Sequence, residues 1–197
     1  MSQNQYSDDL AHIRTMMERS SRFLSLSGWA GILPGIFALM GLALAVWFIS
    51  KAQNFWWFGN EIDRSSPLTL QLIAIAMIVL GLSIFSSWYT CMRKARKENQ
   101  STWTPAIRNM LLHFAIPLSA GAIIVGWIYV KGEWGLLAPV MLSFYGLALI
   151  QVSQFTLKSV FWLGIIEIAL SIPSGIPGLG IPMLAIGFGI AHIVYGI

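Results

Sequence analysis

Six apolar stretches dominate the chain, at residues 28–50, 68–92, 105–130, 136–157, 159–172 and 180–197. The first four each hold the roughly 20 residues that a helix needs to cross about 30 Å of hydrocarbon. A water-soluble fold of 197 residues cannot hide that much apolar surface, because small domains leave a large share of their residues exposed. Composition agrees. Hydrophobic residues make up 56% and charged residues only 10%, against about 25% charged in an average soluble domain. These features exclude a soluble globular enzyme, a disordered chain and a DNA-binding domain. They imply an all-α polytopic membrane bundle, with a cytoplasmic amphipathic helix within 1–27 and a six-helix transmembrane domain over 28–197.

The last two stretches are short, and the linker SIPSGIPGLGIP between them is uncharged and dense in Pro and Gly. Two readings remain: a short full crossing by each helix, or a re-entrant hairpin dipping from one side. Nine of the twelve Lys and Arg fall on one side if the N-terminus is inside: Arg14, Arg19, Arg22, Arg93, Lys94, Arg96, Lys97, Arg108 and Lys158. Lys51, Arg64 and Lys131 fall on the other. Basic loops stay in the cytoplasm, so both termini are expected there, in a bacterial inner membrane. All nine tryptophans sit near span ends, as an aromatic belt requires. The start MSQNQYSDDL has no basic region before an apolar core, so no cleavable signal peptide is expected.

Residues 7–26 suit an amphipathic helix. Ser7 can cap it, and Asp8 and Asp9 sit in its first turn. Leu10, Ile13, Met17 and Leu24 form one apolar face, opposite Arg14, Arg19 and Arg22. Such a helix lies on the inner leaflet or docks a cytoplasmic partner. The run Arg93-Lys94-Ala95-Arg96-Lys97 reads as a topology signal, a lipid-headgroup contact or part of the same partner surface. Phe55, Trp56, Trp57 and Phe58 form an interfacial aromatic segment or a contact with another membrane subunit.

The even spans share a pattern in which a polar residue follows a glycine by five positions: Gly81 and Ser86, Gly146 and Gln151, Gly187 and His192. A methionine precedes each glycine, at Met77, Met141 and Met183. This fits three tandem helical hairpins.

His113, Glu167 and His192 are titratable groups inside the spans, with Gln151 and Ser86 at similar depth. Ionisable groups in hydrocarbon cost several kcal/mol unless partnered, and they usually face the bundle interior. One polar layer near the cytoplasmic face is therefore expected. Two histidines and a carboxylate on three helices suit three roles: a polar network fixing helix register, a proton relay, or a divalent-metal site. Cys91 is the only cysteine, which excludes an internal disulfide and a Cys-based zinc site.

Several segments resemble an uncharacterised family of small bacterial six-helix inner-membrane proteins with no established activity. They are MERSSRFLSLSG at 17–28, FYGLAL at 144–149, LGIIEI at 163–168 and GFGIAHIVYG at 187–196. The resemblance implies the same six-helix fold and hints at a signalling partner.

The function expected is a non-catalytic membrane subunit or sensor acting through protein partners. A small proton-coupled transporter or channel using Glu167, His113 and His192 is the second reading, and an intramembrane metalloenzyme the third. No catalytic residue is assigned. The expected partners are the lipid bilayer, a cytoplasmic or membrane protein and a second copy of the chain, with no direct contact to nucleic acid.

Overall fold

Lysine closes each of the first three helices, α1 (Trp29–Lys51), α2 (Pro67–Lys97) and α3 (Pro105–Lys131), where a cation suits the negative end of the helix dipole. Pro67 and Pro105 open α2 and α3 at the position where a missing N–H costs no hydrogen bond. These elements belong to a computed structural model that describes residues 28–51, 67–97 and 105–197. The amphipathic segment 7–26 with Arg14, Arg19 and Arg22, and the aromatic run 55–58, lie outside the described residues.

Gly132 stops α3. Its φ of 81° is a left-handed conformation that glycine adopts without strain. The Gly132 and Glu133 N–H groups both donate to the Ile128 carbonyl, at 2.9 and 3.2 Å, which satisfies an end that would otherwise be open. A 3₁₀ turn (Trp134–Leu136) then leads into α4 (Leu137–Val152), and a second (Ser153–Phe155) follows it. α5 spans Lys158–Ser174. Pro173 sits inside its last turn instead of ending it, because a proline so close to the terminus removes only one N–H from the ladder. After a turn with Gly178 at φ 86°, α6 covers Gly180–Gly196. Its middle, Ala185–Ala191, is wound as a π-helix.

The chain is all-helical, and no strand occurs among the described residues. Four stretches, α1, α2, α3 and Trp134–Phe155, are long and apolar enough to cross a membrane. α5 and α6 have 17 residues each, about 26 Å of helix. α2 runs beyond the expected end at 92, so the basic residues Arg93–Lys97 continue the helix.

The packing order is not the chain order. α2 packs on α1, α1 on α6, α6 on α5 and α4, and α4 on both α5 and α3. α6 therefore joins the α1–α2 hairpin to the other three helices. Glycines mark these crossings. A Cβ on Gly146 of α4 would stand 2.6 Å from the Gly164 carbonyl oxygen of α5, and one on Gly164 would stand 2.7 Å from the Gly146 oxygen. On the α1–α6 crossing, a Cβ on Gly35 would meet the Gly189 oxygen at 2.7 Å. Between apolar helices in lipid no hydrophobic force draws the pair together, so close van der Waals packing over small residues has to hold it. Ser87 adds a polar tie between α2 and α1, donating to the Ala30 carbonyl at 3.0 Å.

The three hairpins of the sequence pattern each pack as pairs, but their glycines are not equivalent. Gly146 and Gly187 are closed in by neighbours, whereas a Cβ on Gly81 meets nothing within 4 Å. This contrast generates a stability prediction. Gly146→Ala and Gly164→Ala each overpack a backbone crossing and lower unfolding free energy by about 1–3 kcal/mol. Gly81→Ala is neutral or raises it by up to about 1 kcal/mol, the helix-propensity gain. Denaturant-induced unfolding in mixed micelles measures both, and equal effects at the three sites would contradict the packing.

Candidate functional site: a buried Glu–His–Tyr network

The buried residues of α5 are Val160, Leu163, Gly164, Glu167, Ser171 and Ser174. Their spacing is one helical stripe, and Glu167 is its centre. Helical geometry alone thus turns this carboxyl toward α4 and α6. Glu167 is 0% exposed, and neither Oε1 nor Oε2 has a hydrogen-bond partner. Gly187 of α6 makes the room. A Cβ there would collide with Glu167 Oε2 and stand 2.9 Å from Leu142 Cδ2 of α4.

His192 follows the π-wound segment and is buried. Its Nδ1 lies 2.9 Å from the Gly187 carbonyl oxygen and 3.4 Å from Glu167 Oε1. A carbonyl only accepts, so Nδ1 carries the proton and donates to it. In the neutral ring Nε2 is then an acceptor, and the Tyr145 hydroxyl donates to it at 2.8 Å. The Tyr145 ring is packed edge-on against Phe188, with centroids 5.1 Å apart, and against Phe114 of α3 at 6.2 Å. Side chains of α3, α4, α5 and α6 meet at this point. The π-winding precedes His192 directly, and wide turns of this kind recur where a helix must aim a functional side chain.

The arrangement holds two proton placements. In one, Glu167 and His192 are both neutral. In the other, Glu167 is a carboxylate and His192 an imidazolium, whose second proton sits on Nε2 on the Tyr145 side, because Nδ1, the nitrogen facing Glu167, already carries one. The second separates charge in a dry site and needs the pair to close from 3.4 Å to hydrogen-bond distance.

The remaining candidates go elsewhere. His113, half-buried on α3, donates from Nδ1 to Gln151 Oε1 of α4 at 3.2 Å, with its ring 5.0 Å from that of Phe155. The Ser86 hydroxyl donates to the Ser83 carbonyl of its own helix at 3.1 Å. The expected single layer is therefore two separate pairs and a serine turned back on its backbone. Among the described residues, no three His, Cys, Asp or Glu side chains come together as a group able to hold a metal. Arg93, Arg96 and Lys97 lie at the end of α2.

Tyr145 is the member of this network that sequence reasoning missed. Its signal was position: tyrosines of membrane helices favour the interface, while Tyr145 stands near the middle of Trp134–Phe155. The chain matches no protein-family model, no curated protein and no solved structure.

The collision between a Gly187 Cβ and Glu167 generates a second prediction. Gly187→Ala lowers unfolding free energy by about 1–3 kcal/mol in the native background. In a Glu167→Ala background the loss shrinks, and the coupling between the two sites reaches about 1 kcal/mol, as for residues in contact. Strict additivity would show that the two groups do not touch.

Proposed function

We propose that the chain is a non-catalytic integral membrane subunit or sensor of the bacterial inner membrane that acts through protein partners. It crosses the bilayer six times with both termini in the cytoplasm, and α5 and α6 form the last, short crossings. The observation that carries the reading is that both span histidines are hydrogen-bonded internally and Glu167 is closed off from the surface. His113 is taken by Gln151, and His192 by the Gly187 carbonyl and Tyr145. Glu167 is sealed behind Gly187 and Leu142. Polar groups so arranged pin helix register and specify one packing. The segments proposed to contact a partner are 7–26 and 93–104. The resemblance to small six-helix inner-membrane proteins supports the same reading.

A proton-coupled transporter or channel is the second reading. One observation favours it: both oxygens of Glu167 lack a hydrogen bond although the residue is fully buried, and such groups in membranes often relay protons. A metal centre has less support, because His113 is engaged with Gln151, leaving two donors against the three of an open zinc site.

Affinity capture from native membranes separates these readings. A protein retained by the full chain, lost on deletion of residues 7–26 and kept by Glu167→Gln supports the subunit reading. Proton uptake into proteoliposomes that is abolished by Glu167→Gln would replace it with the second. A reporter fused after Ile197 is expected to score as cytoplasmic, and an extracytoplasmic score would overturn the six-span topology.

A further inference from the structure

α2 is far longer than a bilayer requires. Its 31 residues extend about 46 Å, against about 30 Å of hydrocarbon. Counting from Pro67, about 30 Å of rise ends near Trp88 and Tyr89, the residue types that settle at the membrane–water interface. The turns that remain carry Arg93, Arg96 and Lys97, so they stand at headgroup level.

These residues are not spread around the helix. At 3.6 residues per turn, Ile78, Leu82, Phe85, Tyr89, Arg93 and Arg96 share one side, while Ala95, on another side, is fully buried. Phe85, Trp88 and Tyr89 are 61%, 59% and 53% exposed, and the Phe85 and Tyr89 rings stack with centroids 6.4 Å apart. The beginning of this face is open, since a Cβ on Gly81 meets nothing within 4 Å. Its far end is a surface concavity of about 640 Å³ lined by Trp88, Tyr89, Met92, Arg93, Arg96 and Lys97. Along one helix face the order is therefore aliphatic, aromatic, cationic. A phospholipid has the same order of chemistry: acyl chain, glycerol level, phosphate.

We propose that this face of α2 is a binding site for one anionic phospholipid. Arg93 and Arg96 hold its phosphate, because guanidinium forks pair with phosphate oxygens in two parallel hydrogen bonds. Lys97 adds charge at the rim. Trp88 and Tyr89 flank the glycerol, and Phe85, Leu82 and Ile78 lie along an acyl chain. The charge of the site selects anionic over zwitterionic headgroups. A topology signal alone needs positive charge on that side of the membrane but no shared face with aromatic residues. The proposal rests on α2 crossing the bilayer and needs no protein partner, and a partner docking at the basic end of α2 would meet the bound lipid.

Native mass spectrometry of the full chain, exchanged into mixed micelles with equal phosphatidylglycerol and phosphatidylcholine, tests it. The wild type is expected to retain one phosphatidylglycerol in preference to phosphatidylcholine. Arg93→Gln with Arg96→Gln lowers that retention about twenty-five-fold, since each cation near an anionic lipid contributes about fivefold. Arg108→Gln with Lys158→Gln removes the same charge from exposed residues elsewhere and leaves retention unchanged. If the first pair fails to insert, Trp88→Ala with Tyr89→Ala keeps every charge and is expected to lower retention of the same lipid. Equal losses for the two charge pairs, or displacement of the lipid by millimolar inorganic phosphate, would overturn the proposal. The reporter after Ile197 reads topology separately.

Discussion

A carboxyl group with no exposure and no hydrogen bond is the constraint around which the other helices are arranged. Leaving such a group charged in hydrocarbon costs several kcal/mol, so its surroundings have to be closed, close and polar on one side. α6 meets each demand. Gly187 lets the helix approach Glu167 within contact, and the π-wound segment that contains it presents His192 to the same spot. Tyr145 then fixes the imidazole from α4. Because α6 also crosses α1 over Gly31, Gly35, Gly189 and Gly196, the same helix carries the α1–α2 hairpin. Displacing α6 would disturb both halves at once.

Helix existence was legible in the sequence from the length and apolarity of the stretches, and the inward direction of Glu167 from the cost of a carboxyl group in lipid. Leu163, Gly164, Glu167, Ser171 and Ser174 recur at intervals of one, three, four and three residues, which helical spacing alone places on one side. The identity of the partner was not legible. His192 faces Glu167 and His113 does not, because neighbours are set by which helices touch, and α6 inserts between α1 and the α4–α5 pair against the chain order. Depth along the membrane normal put five residues at one level but said nothing of their azimuth. Ser86 and Ser87 show how fine that distinction is. One residue of helix rotation sends Ser86 to its own backbone and Ser87 across to α1. The π-winding of Ala185–Ala191 left no periodic trace in a helix so uniformly apolar.

The interior and the surface of the bundle are separate problems for this chain. Inside, glycines bring backbones together, the histidines hydrogen-bond to neighbouring helices, and Glu167 lies buried beside His192 without a hydrogen bond of its own. Outside, α2 touches chiefly α1 and turns a graded face away from the bundle. The proposed lipid site uses that outer face of α2, and the proposed subunit role leaves the interior closed. This is the physical sense of the subunit reading.

The tautomer of His192 tests the buried network most directly. Solid-state ¹⁵N NMR of histidine-labelled protein in bilayers resolves protonated from bare ring nitrogens. The account predicts a His192 ring with a proton on Nδ1 and a bare, hydrogen-bonded Nε2 whose shift changes in Tyr145→Phe. A His192 signal protonated at Nε2 alone, or one unchanged by Tyr145→Phe, would contradict it.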